Sequence, residues 1–279
     1  MMNFRIMQAK DIPAGLALCR VAGWNQVSRD WEFFLQMNPE GCFVAEQEKV
    51  VGTVTTLRYQ KCFSWIGMVL VDPEQRRQGI GMKLLYKALE VLIKESTVKL
   101  DATPAGREIY LKLDFKVEYS LSRMIRSPAI ISRTPGLVRP VHPDDLRKLA
   151  IFDGEIFGAD RYRMLDWLIR GASEYALIVE DKNHILGYCM GRPGNHFTQI
   201  GPLAAESADI AKELVSGILN QAGNRPLVMD IPCLDPGWKE WLLTVGFSEQ
   251  RPYTRMYLGK NNFPGIPVKQ YAISGPEFG

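Results

Sequence analysis

An internal repeat limits what this chain can fold into more than any other feature. Arg5 to Asp11 opens one unit, with Leu16-Ala17 after it, and Arg139 to Asp145 repeats that spacing ahead of Leu149-Ala150. Phe43-Val44-Ala45-Glu46 leads through a polar turn to Val50-Val51-Gly52, and Leu177-Ile178-Val179-Glu180 leads the same way to Ile185-Leu186-Gly187. Each pair reads as a β-hairpin. Val98-Lys99-Leu100-Asp101 and Leu227-Val228-Met229-Asp230 are short apolar strands that end in aspartate. Phe115 stands eight residues before Arg123-Met124, as Phe247 does before Arg255-Met256. Four coincidences in one order indicate a duplicated unit. Each copy reads strand, helix, helix, several strands, helix, strand, helix, strand. The expected division is 1–127, a linker at 128–136 where prolines and Gly136 disfavour regular structure, and 137–279.

At 279 residues, two domains of ordinary size are expected. The 34 Lys+Arg and 31 Asp+Glu leave a net charge of +3, too small to argue for a nucleic-acid or membrane partner. No run approaches the roughly 20 apolar residues of a membrane span, and the N-terminus lacks a secretory pattern. Five scattered cysteines without a CxxC pair, and three histidines that form no cluster, give no disulfide framework and no metal site. The expectation is a cytoplasmic protein without a metal.

Only one copy carries a second feature. Val69-Leu70-Val71 runs into Asp72-Pro73-Glu74-Gln75-Arg76-Arg77-Gln78-Gly79-Ile80-Gly81, an apolar strand entering a basic, glycine-punctuated turn. The turn opens a helix with apolar residues at 80, 84, 85, 88, 91 and 92. The first amides of a helix have no helical partners and carry the positive end of its dipole, so Arg77 to Met82 suit a phosphate. Arg76 and Arg77 add charge. The alternative is a plain helix start with glycines used for packing. The order RxxGxG after antiparallel strands differs from the dinucleotide fingerprint, which needs GxGxxG after the first strand of a βαβ unit.

These residues resemble the GNAT superfamily of acyl-CoA-dependent N-acyltransferases. Arg76, Gly79 and Gly81 match its Q/R-x-x-G-x-G/A pattern, and Val71-Asp72-Pro73-Glu74-Gln75-Arg76 matches the residues before it. Ile109-Tyr110-Leu111-Lys112-Leu113-Asp114-Phe115 is similar to the family's tyrosine-containing helix end. The resemblance covers residues 3–126, and the whole chain is similar to a bacterial two-domain subgroup with a second, divergent copy. It implies an α/β (α+β) fold of tandem domains, each a mixed, mostly antiparallel sheet flanked by helices. It also implies acetyl-CoA as cosubstrate, with pantetheine entering where the strand before the turn splays from its parallel neighbour. Met68, Val69, Leu70 and Val71 would pair with that arm, an amide at Val69 or Leu70 facing the developing oxyanion. Arg76, Arg77, Gln78, Gly79, Ile80, Gly81 and Met82 would hold the pyrophosphate.

The resemblance assigns Tyr110 as the acid that protonates the departing thiolate; the alternative is a tyrosine packed between helix and strand. The cofactor strand has no acid, so Asp101 is the candidate base or amine-binding group, or else a loop or cap residue. Trp24 and Asn25 stand where the family forms its acceptor pocket, and Trp24 can equally be core. In the second copy the matching run, Gln199 to Ala211, lacks RxxGxG. It places Glu206 and Asp209 where phosphate would sit, reads as a shortened helix, and Leu242 replaces the tyrosine. That copy is expected to bind no coenzyme A. Asp160, in Phe157 to Arg163, could reach substrate across the interface; the alternative is an N-cap followed by solvated arginines. The expected reaction moves an acetyl group directly to a primary amine of a small molecule. A non-catalytic acyl-CoA sensor and a protein-lysine acetyltransferase are the other readings.

Overall fold

The computed structural model describes residues 1–60, 62–128, 136 and 138–279, so the expected linker at 128–136 lies almost wholly outside the described residues. The first half runs β1 (Asn3–Ile6), α1 (Ile12–Ala22), α2 (Ser28–Met37), β2 (Phe43–Glu46), β3 (Val50–Tyr59), β4 (Phe63–Val71), α3 (Ile80–Val91), β5 (Thr97–Ala102), α4 (Pro104–Leu111) and β6 (Lys116–Arg126). The second repeats that order: β7 (Val138–Pro140), α5 (Leu146–Phe157), α6 (Tyr162–Gly171), β8 (Leu177–Asp181), β9 (His184–Pro193), β10 (Thr198–Ala205), α7 (Ala208–Ala222), β11 (Leu227–Pro232), α8 (Pro236–Thr244) and β12 (Phe247–Gly259). One further strand, β13 (Gln270–Ala272), follows.

Local chemistry sets these elements. Arg5 bridges Asp11 at 2.7 Å and Glu46 at 2.8 Å, tying the entry to α1 to the first hairpin, and Arg139 does the same with Asp145 and Glu180, each at 2.6 Å. Thr103 caps α4 by accepting from the Gly106 amide. The turn from α4 into β6 needs a left-handed residue, Asp114 at φ 62°, and its repeat mate is Gly246 at φ 92°. Aspartate adopts that conformation at a cost on the order of 1 kcal/mol that glycine avoids. The helix of the second copy is not shortened: α7 has 15 residues and α3 has 12.

The strands form one sheet in the order β1-β2-β3-β4-β5-β12-β6-β11-β10-β9-β8-β7. The last strand of each half therefore lies beside the other half's strands. β12 pairs antiparallel with β5, β6 pairs antiparallel with β11, and β6 and β12 pair with each other at the centre. A boundary at 127 follows the sequence but not the sheet. The repeated Asp…Arg positions explain the exchange. Arg255 on β12 holds Asp101 on β5 through bonds of 2.9 and 2.8 Å, and Arg123 on β6 holds Asp230 on β11 through bonds of 2.7 and 2.8 Å.

Alternation along β4 and β5 sorts the core into faces. Ile66, Val98 and Leu100 pack with Ile80, Leu84 and Leu85 of α3. Trp65, Met68 and Leu70 point the other way, into a core shared by both halves that includes Trp31, Phe34, Phe157, Leu165 and Phe278. The tail after β13 ends inside this shared core. The Phe278 ring stacks on Phe34 with centroids 4.8 Å apart, and Arg161 donates to the Gly279 carbonyl.

Candidate active site

The end of β4 is built to leave its neighbours. Thr53 pairs with Leu70 and Thr55 with Gly67, so Met68 and Val69 together face the single residue Val54. This is a β-bulge, with Met68 at φ 52° and its carbonyl accepting from the Thr53 hydroxyl at 2.8 Å. On the other side, β4 and the parallel β5 pair only at Ser64/Val98 and Trp65/Lys99. Beyond that point the strands part, and the wedge between Ile66–Val71 and Leu100–Ala102 opens through the sheet.

The basic turn closes one end of the wedge. Asp72 accepts from the Glu74 amide at 3.1 Å, and Arg76 Nε donates to the Val71 carbonyl at 3.2 Å. Arg76 thus fixes the turn as well as charging it. Arg77 at φ 64° and Gly79 at φ 76° then swing the chain into α3, whose first amides receive no side-chain cap. An uncapped, exposed helix start beside two arginines fits a pyrophosphate.

One cleft of about 590 Å³ joins these parts. Met68 to Val71, Arg76, Arg77, Gly79, Ile80, Gly81 and Met82 line it; Gln78 does not, its amide turning to Gln75. Tyr110 lines the same cleft from α4, its ring 5.7 Å from that of Phe115. Among the described residues its hydroxyl has no hydrogen-bond partner. Burial pushes the Tyr110 phenol up to about 12, so it stays protonated across the neutral range. At the other end, on the face shared by both halves, stand Trp24 and Gln26 from the α1–α2 connection, Arg251 and Tyr253 from β12, and Pro276 and Glu277 from the tail.

Comparison with known proteins decides what this arrangement is. Family models described as "Acetyltransferase (GNAT) domain" match residues 38–117 and, separately, 149–272, one in each half. The chain belongs to the GNAT family. It is a two-domain acyltransferase of that family, and membership implies acyl-CoA as cosubstrate. It is 29% identical over 259 residues to holothin acyltransferase of Pseudoalteromonas sp. (strain SANK 73390), covering 92% of this chain and 87% of that protein. A solved structure of a proposed acetyltransferase from Pyrococcus horikoshii superposes with a TM-score of 0.83 at 25% identity, covering 100% of this chain and 96% of that one. A tandem GNAT protein from the clavulanic acid biosynthesis pathway shares the fold, with a TM-score of 0.65 at 13% identity over 92% of this chain and 98% of that one.

Three residues singled out in the sequence have other work. Asp101 borders the cleft, but its side chain is 0% exposed and each carboxylate oxygen accepts a bond from Arg255, so it is committed to a buried ion pair. Asn25 turns away from the cleft. Its side chain accepts from the amides of His196 and Phe197 and donates to the Phe197 carbonyl, clamping the β9–β10 loop. Asp160 lies outside the cleft, accepting from Gln60 and from the Tyr162 amide. Its neighbour Arg161 is buried, held by Asp153 through two 2.8 Å bonds, and is not a solvated arginine. Arg251, Tyr253 and Glu277 carried no sequence signal as site residues. They reach the cleft through strand exchange and the returning tail, neither of which has a local pattern.

The corresponding wedge in the second half is filled by the chain itself. β10 and β11 pair only from Thr198/Leu227 to Ile200/Met229 and then part. β13 lies in the gap, pairing Leu203 with Ala272, while the Ile273 amide donates to the Asp230 carbonyl at 2.9 Å. A Cβ on Gly201 would stand 2.0 Å from the Ile273 carbonyl oxygen, so this close approach requires glycine. The start of α7 is capped by Ser207, Glu206 pairs with Lys269 at 2.6 Å, and Leu242 is buried where the first half has Tyr110. Among the described residues no group of His, Cys, Asp and Glu is arranged to hold a metal, and no helix is long and apolar enough to cross a membrane.

Proposed function

We propose that this protein is a cytoplasmic N-acetyltransferase that moves an acetyl group from acetyl-CoA to a primary amine of a small molecule, directly, within a ternary complex. Residues 1–127 form the copy that binds the coenzyme and carries Tyr110, and 137–279 a copy that binds no coenzyme A and borders the acceptor side. Acetyl-CoA supplies the activated acyl group; the chain's own residues bind, orient and move protons. The amides from Arg77 to Met82 and the Arg77 guanidinium hold the pyrophosphate, and the bulge at Met68–Val69 turns backbone groups into the wedge beside the thioester. The observation that carries this reading is the unpartnered, protonated Tyr110 hydroxyl on the same cleft as an uncapped helix start. A phenol so placed can give its proton to the leaving thiolate. We assign proton removal from the amine to Glu277, because Asp101 is committed to a two-bond ion pair with Arg255. Glu277 pairs with Arg192 through one oxygen, and its other oxygen makes no hydrogen bond among the described residues. The acceptor side is bordered by residues of the second half and the tail, which supports a small molecule.

Release of free thiol from acetyl-CoA across a panel of amines tests this reading. Tyr110→Phe keeps the ring packing and is expected to lower kcat roughly 10²- to 10⁴-fold, with coenzyme A affinity unchanged. Glu277→Gln is expected to lower kcat by a similar factor. Coenzyme A binding without thiol release on any amine would instead mark a sensor, and wild-type rates in Tyr110→Phe would remove that residue from the chemistry.

A further inference from the structure

Within the reading of the cleft as an acyltransfer site, the structure says what kind of acceptor it takes. Arg251 stands directly opposite Arg123 in the β6–β12 ladder. Like charges facing each other across a ladder are unfavourable unless something neutralises them. Arg123 is neutralised by Asp230. Arg251 is not: among the described residues it meets no carboxylate and donates no hydrogen bond, and its buried Nε has no partner. Its guanidinium lies 5.2 Å from the centre of the Tyr253 ring, whose other neighbour is the Arg123 guanidinium at 5.3 Å. Gln26 lines the same cleft, is 6% exposed, and has an Oε1 with no partner. Buried polar groups without partners are uncommon in folded proteins and call for an explanation.

The repeat argues that Arg251 is not a requirement of the fold. Counted from the two phenylalanines, its mate in the other copy is Tyr119, which accepts from Arg255 at 2.7 Å. The two copies keep the same arginine–aspartate pair and differ here, beside the wedge that remains open. Arg251 also lies on the acceptor face. It is four residues from Arg255 along β12, with no register shift between them, and Arg255 meets Asp101 on the face of β5 opposite to Leu100 and α3. The coenzyme cradle is at the start of α3, so the pyrophosphate already has other partners.

We propose that Arg251 is the anchor for an anionic group, a carboxylate or phosphate, on the amine that this enzyme acylates. A planar guanidinium offers two parallel donors to either anion. The empty acceptor atom of Gln26 would take a hydrogen bond from an N–H or O–H of the same molecule, and Tyr253 would flank it.

Matched pairs of amines test this: an amino acid against its amide, and phosphoethanolamine against ethanolamine. The carboxylate and phosphate arms separate the two anions. The wild-type enzyme should prefer one anionic member by about ten- to a hundredfold in kcat/KM. Arg251→Gln should erase that preference by raising KM, while calorimetric affinity for coenzyme A stays the same, and Arg251→Lys should restore part of it. Equal use of charged and neutral members, or a preference that survives in Arg251→Gln, would overturn the proposal. Binding of each amine to the coenzyme A-loaded protein is measured alongside. If no amine is acylated yet anionic amines bind through Arg251, the transferase reading fails and the anion site stands. If anionic amines bind no better than neutral ones, the anion site fails.

Discussion

The buried pair between Asp101 and Arg255 gives the sharpest test of the structure, because one outcome makes Asp101 a strut and the other a catalytic base. The side chains are 0% and 3% exposed and share two hydrogen bonds of 2.8 and 2.9 Å. Asp101→Leu or Arg255→Met alone leaves a buried charge without its partner, which typically costs about 3–5 kcal/mol. For a chain of this size that is a fall in Tm of roughly 6–20 °C. Removing both leaves no buried charge, and isosteric apolar replacements of such pairs are often neutral. Here the double variant also loses the 2.7 Å bond from Arg255 to the Tyr119 hydroxyl and the guanidinium 4.6 Å over the Trp65 ring. A residual cost of about 1–2 kcal/mol is therefore expected, far below the sum of the single changes. The assay is urea unfolding followed by tryptophan fluorescence, with thiol release measured on each folded variant. The double variant should keep kcat/KM within about tenfold of wild type, against the roughly 10²- to 10⁴-fold loss expected of a proton-transfer residue. A stable double variant with a loss of the larger kind would refute the assignment. A double variant no more stable than either single one would refute the coupling.

Two further outcomes follow from the packing and the ion pairs. Phe278→Ala, next to the last residue, should cost about 3–5 kcal/mol because the ring is fully buried against Phe34, Phe33 and Trp167; a change in urea midpoint worth less than about 1 kcal/mol would contradict its place in the core. Hydrogen bonds from Arg5 hold Asp11 and Glu46 below the usual carboxylate range; Arg139 does the same for Asp145, and Lys148 together with Arg139 for Glu180. A lowered folded pKa contributes stability that is present above the unfolded value of about 4 and is lost as pH falls through the folded value. The urea midpoint should fall below about pH 4, and Asp11→Asn with Asp145→Asn should reduce that slope; an unchanged slope would remove these clusters as its source.

Much of the fold was legible because it is written in local patterns. The hairpins, the amphipathic α3 and the proline-started α4 came from periodicity and turn chemistry. The repeat predicted the element order of both halves. The cradle was legible as well, since a helix start acts on phosphate through backbone amides in one short segment. Tyr110 came from the family resemblance, and the cleft contains it. The partners of Asp101 and Asn25 were not legible, for one shared reason. A buried polar residue looks the same in sequence whether its partner is a substrate or another side chain, and here the partners are Arg255 and the 196–197 amides, more than 150 residues away.

The amino-acid sequence by itself determined that the chain is a duplicated, helix-flanked sheet with one phosphate cradle, because spacing, glycine placement and helix-start chemistry act over a few residues. Tertiary structure alone decided that the final strands are exchanged, that the second wedge is filled by residues 270–273, and that Arg251 and Glu277 border the first. Those facts depend on which distant segments pair, and pairing across a sheet is set by the burial and charge balance of the whole fold, which no short stretch of sequence contains.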